Sequence, residues 1–431
     1  MTFTDLPPRL DAVVRIPGSK SITHRAIIAA SLAKGRSVLT DFLMCEDTRY
    51  TINALRELGL LIALDGNRLM VEGQGGSLGR GLRGKTIYLG NSGTSFRLLL
   101  SVAALSRGDF VLTGTARMQQ RPIGPLVSAL NHLGVEVSCI GQDGCPPVRI
   151  RARGLRGGKV SISGDQSSQF LSSLLLSGPY AETDIAVEVT GELVSSPYVE
   201  MTIHVMDQFG VRMTRDHGRC FRIPSGQGYK ARKFGIEGDA SSASYFWAAA
   251  AITGKTIATT NIYPHATLQG DIRFLEILER MGCVIEKGSD WVTVHGRDLS
   301  GMEVDMSDLP DMVPTLAAVA LFARGRTVIR NVAHLRHKES DRLHAVASEW
   351  GRIGASVKEL PDGLIIHGGS PLSPAVMNPH NDHRLAMSLA IVALRAPHLG
   401  IMDKDCVKKS FPTFWNLWSS LQKKPTNCGL R

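Results

Sequence analysis

The sequence of 431 residues has few aromatic side chains, no long apolar run and no paired cysteines. Aromatic residues make up 6% of the chain, and no apolar run reaches the roughly 20 residues needed to span a bilayer. The seven cysteines are scattered, without a C-x-x-C pair or a His/Cys cluster, which argues against a disulfide framework and a structural zinc site. The N-terminal segment lacks an apolar signal region, and its Asp5 and Asp11 argue against a transit peptide. We therefore expect a cytoplasmic protein that does not associate with membranes.

The chain carries a formal net charge of +10, which two classes of protein would explain. Proteins that bind nucleic acid are often basic, and so are proteins that bind small anionic substrates. No block of five consecutive Lys or Arg residues occurs, and aromatic residues that could stack on bases are scarce. Small anionic ligands therefore account for the charge better than nucleic acid does. The length exceeds what one ordinary hydrophobic core accommodates and suggests two or three domains.

An apolar segment recurs six times along the chain, at intervals of about 73 residues. Each copy is apolar almost all round, which is typical of a buried helix, and each ends in a glycine, the usual C-terminal stop of a helix. Such a period predicts an architecture built from copies of one unit. The glycines that end the six segments are Gly35, Gly108, Gly178, Gly254, Gly325 and Gly400.

A second helix and a pair of short strands are predicted between successive buried helices. The helix is amphipathic and also ends in glycine, and its sixth copy is predicted at residues 411–422. Residues 61–73 and 283–296 alternate apolar and polar side chains around a turn, as a β-hairpin does. The glycines that end the first five amphipathic helices are Gly59, Gly134, Gly210, Gly282 and Gly354.

Six such units predict two lobes of three units each. The polar stretch 226–239 is the natural break, so residues 19–237 would form the N-terminal lobe. Residues 238–431, together with residues 1–18, would form the C-terminal lobe. A solenoid without catalytic function is the alternative, but the period is long for a solenoid and unusual polar residues precede each buried helix.

Polar residues at the starts of the buried helices indicate anion binding. Ser, Thr, Asn and Asp are common helix caps, so capping explains part of the pattern. It does not explain the cations Lys20, Arg25 and Arg384 in first turns, where the helix dipole disfavours positive charge. A cation, a glycine and free N–H groups at a helix start together make a phosphate site. The polar residues at the six starts include Lys20, Ser21, Arg25, Asn91, Gly93, Thr94, Arg97, Ser167, Ser168, Gln169, Asp239, Ser241, Ser242, Asp311, Asp382, His383 and Arg384.

Three further charged clusters lack an obvious structural need. In the segment 335–342, Lys338 and Arg342 are four residues apart and share a helix face, where like charges repel unless an anion lies between them. The alternative is a solvated helix start with surface ion pairs. The clusters comprise Arg117 and Arg121, then Arg336, Lys338, Glu339, Asp341 and Arg342, and finally Lys408 and Lys409.

Nine motifs, in this order, resemble the 5-enolpyruvylshikimate-3-phosphate synthase family, and the resemblance spans about residues 15–415. Each motif alone is modest, but the ordered set is very specific. The motifs are SKSITHRA (19–26), LGNSGTSFR (89–97), RPIG (121–124), SSQFLSSLL (167–175), SSPYVEMT (195–202), EGDASSASYF (237–246), LPD (309–311), KESDR (338–342) and NDHRLAM (381–387).

The resemblance implies an α/β fold with two domains, described as an inside-out α/β barrel. Each domain would contain three βαβαββ repeats around buried parallel helices, with the active site in the interdomain cleft. The implied reaction moves the enolpyruvyl group of phosphoenolpyruvate to the 5-hydroxyl of shikimate 3-phosphate and releases phosphate. No metal or organic cofactor and no nucleic acid is implied, and the family habit is a monomer.

Catalytic roles follow from the same resemblance. The hydroxyl must lose a proton and the methylene carbon of phosphoenolpyruvate must gain one, which two carboxylates can serve as base and acid. The resemblance assigns Asp311 as proton acceptor and Glu339 as proton donor. Lys20 would contact both substrates and the developing charge.

Shikimate 3-phosphate would be held by serines, cations and a tyrosine. Ser21 and Arg25 would take its carboxylate, and Lys338 would lie near its phosphate. The residues implied for this substrate are Lys20, Ser21, Arg25, Ser167, Ser168, Gln169, Ser195, Tyr198, Asp311, His334 and Lys338.

Phosphoenolpyruvate would be held mainly by cations. Arg342 and Arg384 would take its carboxylate, since planar guanidinium forks suit that group. The residues implied for this substrate are Lys20, Gly93, Arg121, Gln169, Arg342, Arg384 and Lys409.

The sequence departs from the common family pattern at a few positions. His334 stands where many members have Asn near the shikimate phosphate; a histidine could still donate a hydrogen bond, but we expect its charge to titrate. Leu98 stands where some members have Pro. Gly93 is the small residue of glyphosate-sensitive members, so we expect sensitivity. The fourth helix start, with Asp239 and Ser241, receives no substrate, and we expect capping and a hinge position there.

Two other functions remain as alternatives. UDP-N-acetylglucosamine enolpyruvyl transferases share the fold and the donor, but carry a catalytic Cys shortly before their Arg-Pro pair; the loop 113–124 here contains no Cys. A basic nucleic-acid-binding protein on a repeated scaffold, similar to that of the RNA cyclases, would show a steep dependence of binding on salt.

Overall fold

The computed structural model describes residues 10–141, 144–216 and 218–421, which form two compact units. One unit comprises residues 18–236, and the other comprises residues 10–17 and 237–421. The predicted C-terminal lobe also includes residues 1–9 and 422–431, which lie outside the described residues. Strand β1 (Ala12–Arg15) comes before the first unit along the chain and pairs with a strand of the second.

Three four-stranded sheets surround the helices of the unit 18–236. Each sheet contains one pair of parallel strands, and its other two strands add as an antiparallel hairpin, so every sheet is mixed. In the second repeat, for example, Thr86 pairs with Val111 in the parallel register. The strands are β2 (Lys34–Thr40), β3 (Leu61–Asp65), β4 (Arg68–Gln74), β5 (Arg80–Tyr88), β6 (Arg107–Thr113), β7 (Glu136–Cys139), β8 (Val148–Arg153), β9 (Gly158–Ser163), β10 (Ile185–Thr190), β11 (Thr214–Asp216), β12 (Cys220–Ile223) and β13 (Lys233–Gly235).

Buried and surface helices alternate in this unit, as the sequence periodicity predicts. The serine hydroxyls inside the buried helices can bond to a neighbouring helix; Ser173 of the third buried helix, for example, donates to the carbonyl oxygen of Arg97 in the second at 2.6 Å. The buried helices are α1 (Lys20–Leu32), α3 (Gly93–Ala104) and α5 (Ser168–Ser177), and the surface helices are α2 (Glu46–Glu57), α4 (Gly124–His132) and α6 (Pro197–Gln208).

The unit 10–17 and 237–421 repeats this architecture. Strand β1 pairs in parallel with the strand after the fourth buried helix and completes that repeat's sheet. The sixth repeat has a two-stranded parallel sheet instead of four strands. The elements are α7 (Ala240–Thr253), β14 (Thr256–Thr260), α8 (Phe274–Met281), β15 (Val284–Lys287), β16 (Trp291–His295), β17 (Glu303–Asp305), α9 (Val313–Ala320), β18 (Arg326–Arg330), α10 (Arg342–Arg352), β19 (Ser356–Leu360), β20 (Gly363–His367), β21 (Val376–Met377), α11 (His383–Arg395), β22 (Gly400–Ile401) and α12 (Phe414–Ser420).

The buried helices of each unit run parallel to one another. In the second unit, Ile252 at the end of α7, Phe322 just after α9 and Leu394 at the end of α11 line one cavity. In the unit 18–236, the starts of α3 and α5 are hydrogen-bonded to each other. The ends of α1 and α5 meet through Tyr180, whose hydroxyl donates to the carbonyl oxygen of Leu32. Parallel helices bring their N-termini to one end of each unit, which concentrates anion-binding N–H groups there.

Each unit has its own hydrophobic core between the buried helices and the inner faces of its sheets. In β8, for example, Val148, Ile150 and Ala152 are buried and alternate with exposed arginines. The sheets are separate, and none closes into a barrel among the described residues. The described part of the chain has no helix of the length and hydropathy that crossing a membrane requires.

The predicted glycine stops are correct for the surface helices and mostly wrong for the buried ones. All five glycines after the surface helices have positive φ, as a left-handed stop requires. Among the buried helices, Gly254 ends α7 in this way, and Gly178 caps α5 with right-handed backbone. Helices α1, α3, α9 and α11 end earlier, because a strand or turn follows directly; Gly35 and Gly108, for example, lie inside β2 and β6.

Candidate active site

Lys20 begins helix α1, and its ammonium group is paired within the unit. Its Nζ lies 3.0 Å from Oδ2 of Asp47, a residue in the first turn of α2. Both side chains are buried. The helix dipole disfavours a cation at this position, and the buried carboxylate offsets that cost. The pair holds the ammonium at the helix start. No role is predicted for Asp47 from the sequence, although it is an acidic residue in a first helical turn.

Arg25 is 1% exposed, and its hydrogen bonds go to neutral oxygen atoms. Its Nε donates to the hydroxyl of Thr202 at 2.7 Å. Its terminal nitrogens donate to the carbonyl oxygens of Ser21 at 2.9 Å and Tyr198 at 3.1 Å. Burial without a nearby carboxylate lowers the pKa of Arg25 to about 10. Three residues predicted for shikimate 3-phosphate therefore meet at a cation that an anion would stabilise.

Arg97 links the starts of helices α3 and α5. Its Nη1 donates to Oγ of Ser167 at 3.1 Å and to Oε1 of Gln169 at 3.2 Å. The amide of Gln169 in turn donates to the hydroxyl of Thr94 at 3.0 Å. The guanidinium lies 5.1 Å from the centre of the Phe170 ring, a favourable cation–π distance. The sequence placed Arg97 in a first turn without a role, and its contacts orient two of the predicted anion ligands.

Gly93 and Arg121 are in direct contact at the start of α3. A Cβ at position 93 would lie 2.5 Å from Nη2 of Arg121, so the guanidinium occupies the space that a side chain would need. Arg121 is 4% exposed, and its Nη1 donates to the backbone oxygen of Asn91 at 3.1 Å. The free N–H groups of the first helical turn add to the positive potential here. This arrangement suits a phosphate group.

The other predicted residues of the unit 18–236 lie at the starts of α5 and α6. Ser168 is buried in the first turn of α5. Ser195 is 5% exposed with a φ of 57°, and Tyr198 is half-buried in the first turn of α6. In the described part of the chain, no side-chain hydrogen bond joins Ser168 or Ser195 to another predicted site residue.

Two arginines bind the carboxylate of Asp311 in the unit 237–421. Asp311 lies in a 3₁₀ turn (Pro310–Met312) directly before α9. Nη1 of Arg342 donates to Oδ1 at 2.9 Å, and Nη2 of Arg384 donates to Oδ2 at 2.5 Å. The predicted proton acceptor and both residues predicted for the donor carboxylate therefore form one cluster.

Arg342 bonds to two further carboxylates. Its Nε donates to Oδ2 of Asp382 at 2.8 Å, and its Nη2 donates to Oε2 of Glu339 at 3.0 Å. Arg342 is 2% exposed, and burial alone would lower its pKa. Asp382, Glu339 and Asp311 together raise that pKa well above the ordinary value for arginine. The guanidinium is therefore permanently charged and fully balanced inside the protein.

Glu339, the predicted proton donor, lies between two cations. Besides Arg342, its neighbour is Lys409, whose Nζ is 3.7 Å from Oε1 of Glu339. Lys409 ends a 3₁₀ turn (Lys404–Lys409) and is 7% exposed. The predicted acid and one predicted phosphate ligand thus lie side by side.

His334 is held in its neutral form. It lies in a 3₁₀ turn (Ala333–His337) and is 7% exposed. Burial, followed by the charge of Lys338, lowers the pKa of His334 to about 3. The expectation that its charge titrates near neutral pH is therefore wrong. Its Nε2 is buried and has no hydrogen-bond partner among the described residues, as expected of an atom that donates to a ligand.

The fourth helix start is a cap, as the sequence predicts. Oδ1 of Asp239 accepts a hydrogen bond from the backbone N–H of Ser242 at 2.9 Å. The neighbouring Ser241 bonds to the carboxylate of Asp271, a residue for which the sequence predicts no role. A hinge at this position stays a prediction.

The predicted site residues in the two units can hold anions and move protons. In the described part of the chain, no group of three or more His, Cys, Asp or Glu side chains is arranged to hold a metal ion. The unit 18–236 presents buried cations, of which Arg25 bonds to neutral oxygen atoms and Lys20 to Asp47, and helix N-termini. The unit 237–421 presents two carboxylates, Asp311 and Glu339, each bound to cations that an anionic ligand could draw away.

Comparison with known proteins agrees with this chemistry. The family model described as "EPSP synthase (3-phosphoshikimate 1-carboxyvinyltransferase)" matches residues 5–418. A 3-phosphoshikimate 1-carboxyvinyltransferase of Syntrophobacter fumaroxidans is 45% identical over 415 residues, which cover 96% of this chain and 97% of the relative. One of Shewanella oneidensis is 43% identical over 411 residues, covering 95% and 96%.

Solved structures share the fold. EPSP synthase from Acinetobacter baumannii is similar with a TM-score of 0.76 and 29% identity, and 94% of each chain is covered. The enolpyruvyl transferase NikO from Streptomyces tendae has a TM-score of 0.76 at 18% identity, covering 96% of this chain and 95% of the other; that likeness concerns the fold alone. By its sequence over nearly the whole length, the chain belongs to the EPSP synthase (3-phosphoshikimate 1-carboxyvinyltransferase) family.

Proposed function

We propose that the chain transfers the enolpyruvyl group of phosphoenolpyruvate to the 5-hydroxyl of shikimate 3-phosphate and releases phosphate. Asp311 accepts the proton of the hydroxyl as its oxygen attacks the central carbon of phosphoenolpyruvate, and Glu339 protonates the methylene carbon. The tetrahedral intermediate then loses phosphate and one methyl proton, which restores the double bond. Lys20 stabilises charge on the reacting groups.

The observation that carries this proposal is the binding of Asp311 by Arg342 and Arg384. A carboxylate held by two guanidinium groups is a weak base, because the cations favour its ionised form. The carboxylate of phosphoenolpyruvate competes for the same two arginines. As they turn to the donor, Asp311 loses the charge of two guanidinium groups and binds a proton more tightly, so donor binding activates the base.

Glu339 is prepared by the same exchange. The phosphate of the donor competes for Lys409, and its carboxylate competes for Arg342, the two cations beside Glu339. A glutamate that loses both partners takes up a proton more readily, and a protonated glutamate is the form that can act as the acid. Both catalytic groups therefore become competent when the donor is bound.

In the unit 18–236 the predicted ligands suit the acceptor and the donor phosphate. Arg25 and Ser21 would hold the shikimate carboxylate, and Ser167, Ser168, Ser195 and Tyr198 would hold its phosphate. Arg121, Gln169 and Gly93 would hold the donor phosphate.

Three further features belong to this proposal. The lobes would be residues 19–237 and residues 1–18 plus 238–431. The protein would act in the cytoplasm as a monomer. It would need no cofactor and no nucleic acid.

A phosphate-release assay with both substrates tests the function. We expect turnover by the wild type, and a fall in kcat of about 10²–10⁴-fold for Asp311→Ala, the typical contribution of general acid–base catalysis. Lys20→Met should fall comparably. Asp298→Ala removes a carboxylate on the surface and should retain wild-type activity. Turnover that survives both site changes would refute the residue roles, and turnover with UDP-N-acetylglucosamine as sole acceptor would favour the alternative enzyme.

A further inference from the structure

The start of the fourth buried helix, α7, carries side chains that point to a role beyond capping. Ser241 and Tyr245 are four residues apart in this helix, so they lie on one face, a turn apart. Ser241 donates to Oδ2 of Asp271. The hydroxyl of Tyr245 lies 3.5 Å from Nη1 of Arg384. One helix face therefore holds a buried carboxylate and the predicted donor-binding arginine next to each other.

The turn that carries Asp271 is fixed to the same helix start. Asp271 belongs to a 3₁₀ turn (Gly270–Arg273) and is 4% exposed. Two residues before it, Gln269 accepts a hydrogen bond from the backbone N–H of Ala240 at 3.1 Å and donates to the carbonyl oxygen of Gly238 at 2.8 Å. Asp271 is thus placed by its backbone as well as by Ser241.

Arg384 has one terminal nitrogen at Tyr245 and the other at Asp311. Burial raises the pKa of Tyr245 to about 12, so its hydroxyl stays neutral. A neutral hydroxyl can accept from Arg384 without competing with an anion for its charge. Because Nη1 is held at Tyr245, Nη2 is the nitrogen that must leave Asp311 and bind the ligand.

Charge connects Asp271 to the same cluster. Burial, followed by the charge of Asp311, raises the pKa of Asp271 to about 6, while Arg384 and Ser241 act in the opposite direction and Asp239 adds to the rise. Asp271 is therefore mostly ionised at neutral pH. Its negative charge attracts Arg384 and repels the charge of Asp311.

We propose that Tyr245, Ser241 and Asp271 are positioning residues that hold Arg384 ready for the carboxylate of phosphoenolpyruvate. The fourth buried helix thereby serves the site without touching a substrate. Asp271 balances the charge of Arg384 while Nη2 of that arginine leaves Asp311, and Tyr245 holds Nη1 during the exchange. The inference rests on the proposed function, because it takes Arg384 as the ligand of the donor carboxylate.

Tyr245→Phe and Asp271→Asn test this positioning role. The first removes one hydroxyl, the second removes one negative charge, and neither changes the side-chain volume much. We expect both to raise the KM for phosphoenolpyruvate about 3- to 10-fold, the range that loss of one hydrogen bond gives. Binding of shikimate 3-phosphate, measured by calorimetry without the donor, should be unchanged. Asp271→Asn should also remove the inflection near pH 6 that we expect in the wild-type profile of kcat/KM for the donor.

Tyr229→Phe is the matched control, because Tyr229 is also buried and its hydroxyl donates to the carbonyl oxygen of Leu176 at 2.9 Å. It should leave the donor KM unchanged. If Tyr245→Phe behaves like this control, the inference is wrong even where the wild type is active. An inactive wild type would instead overturn the proposed function. Should Asp271→Asn fail to fold, Tyr245→Phe alone decides.

Discussion

Arg25 and Arg342 are two arginines with nearly the same burial and opposite surroundings. Arg25, in the unit 18–236, is 1% exposed and bonds to one hydroxyl and two carbonyl oxygens. Arg342, in the unit 237–421, is 2% exposed and bonds to three carboxylates. Burial lowers the pKa of the first to about 10, whereas the carboxylates raise the pKa of the second above its usual value.

The difference separates two ways of recognising an anion. A buried cation with neutral partners is poorly compensated, so a ligand supplies the missing charge and gains by doing so. A buried cation with carboxylate partners is already compensated, so a ligand must displace them. Displacement yields less binding energy, but it releases carboxylates that can then move protons. The first arrangement suits holding, and the second suits coupling of binding to chemistry.

The largest expected difference between the two arginines is in the free energy of unfolding after each is replaced by Met. Arg342→Met leaves the carboxylates of Asp311, Glu339 and Asp382 without their shared cation, and breaking a buried ion pair in this way costs about 3–5 kcal/mol. Arg25→Met removes hydrogen bonds to neutral partners only, and we expect a loss of about 1 kcal/mol. Chemical denaturation of both ligand-free variants beside the wild type measures the two values.

The comparison fails if Arg25→Met is as destabilising as Arg342→Met. A second measurement separates the roles of the two residues. Arg25→Met should weaken binding of shikimate 3-phosphate measured alone, and Arg342→Met should not.

Much of the fold could be predicted because the signal is local and repeated. Six apolar segments at one period indicated six buried helices, and the alternation at 61–73 indicated the hairpin of β3 and β4. The stops of the buried helices could not be predicted in the same way. Gly35 follows α1 closely in sequence, but pairing with β4 draws it into strand β2, and that pairing partner is more than 30 residues away.

The candidate site could be predicted in its charged members but not in their partners. Arg384 stood out as a cation in a first helical turn, and Arg342 stood out beside Lys338 in the charged segment 335–342. Thr202 and Asp271 did not stand out, because the role of each depends on a contact that the sequence does not reveal. Thr202 bonds to Arg25, which is 177 residues away in sequence, and Asp271 bonds to Ser241. The neutrality of His334 was also missed, since the sequence does not reveal its burial.

A smaller effect concerns the cation at the start of α3. Gly93→Ala would place a Cβ 2.5 Å from Nη2 of Arg121, so the guanidinium must move although Asn91 holds it. We expect the KM for phosphoenolpyruvate to rise about 10-fold, equivalent to about 1.4 kcal/mol, with little change in stability. Inhibition by glyphosate, which we expect at millimolar concentration or below in the wild type, should weaken in parallel.

Steady-state kinetics with the donor varied at saturating acceptor give this value. Gly351→Ala is a suitable control, because a Cβ there meets no atom within 4 Å. An unchanged donor KM in Gly93→Ala would mean that Arg121 does not hold the donor phosphate. A flat inhibition curve of the wild type with glyphosate would remove the predicted sensitivity.

The smallest effect concerns His334, a group of the carboxylate-rich unit that nevertheless stays neutral. Lys338, Arg342 and His337 oppose its charge and Asp311 favours it, but burial dominates and sets its pKa at about 3. Unfolded, the same histidine has a pKa near 6.5, so the unfolded chain binds more protons between these values. The free energy of unfolding should therefore fall as pH decreases through this window.

Denaturation at pH 7 and pH 5.5 should show a loss larger in the wild type than in His334→Asn, by about 1 kcal/mol. His265→Asn, at an exposed position, should match the wild type. Equal losses in the wild type and His334→Asn would mean that folding does not lower the pKa of His334.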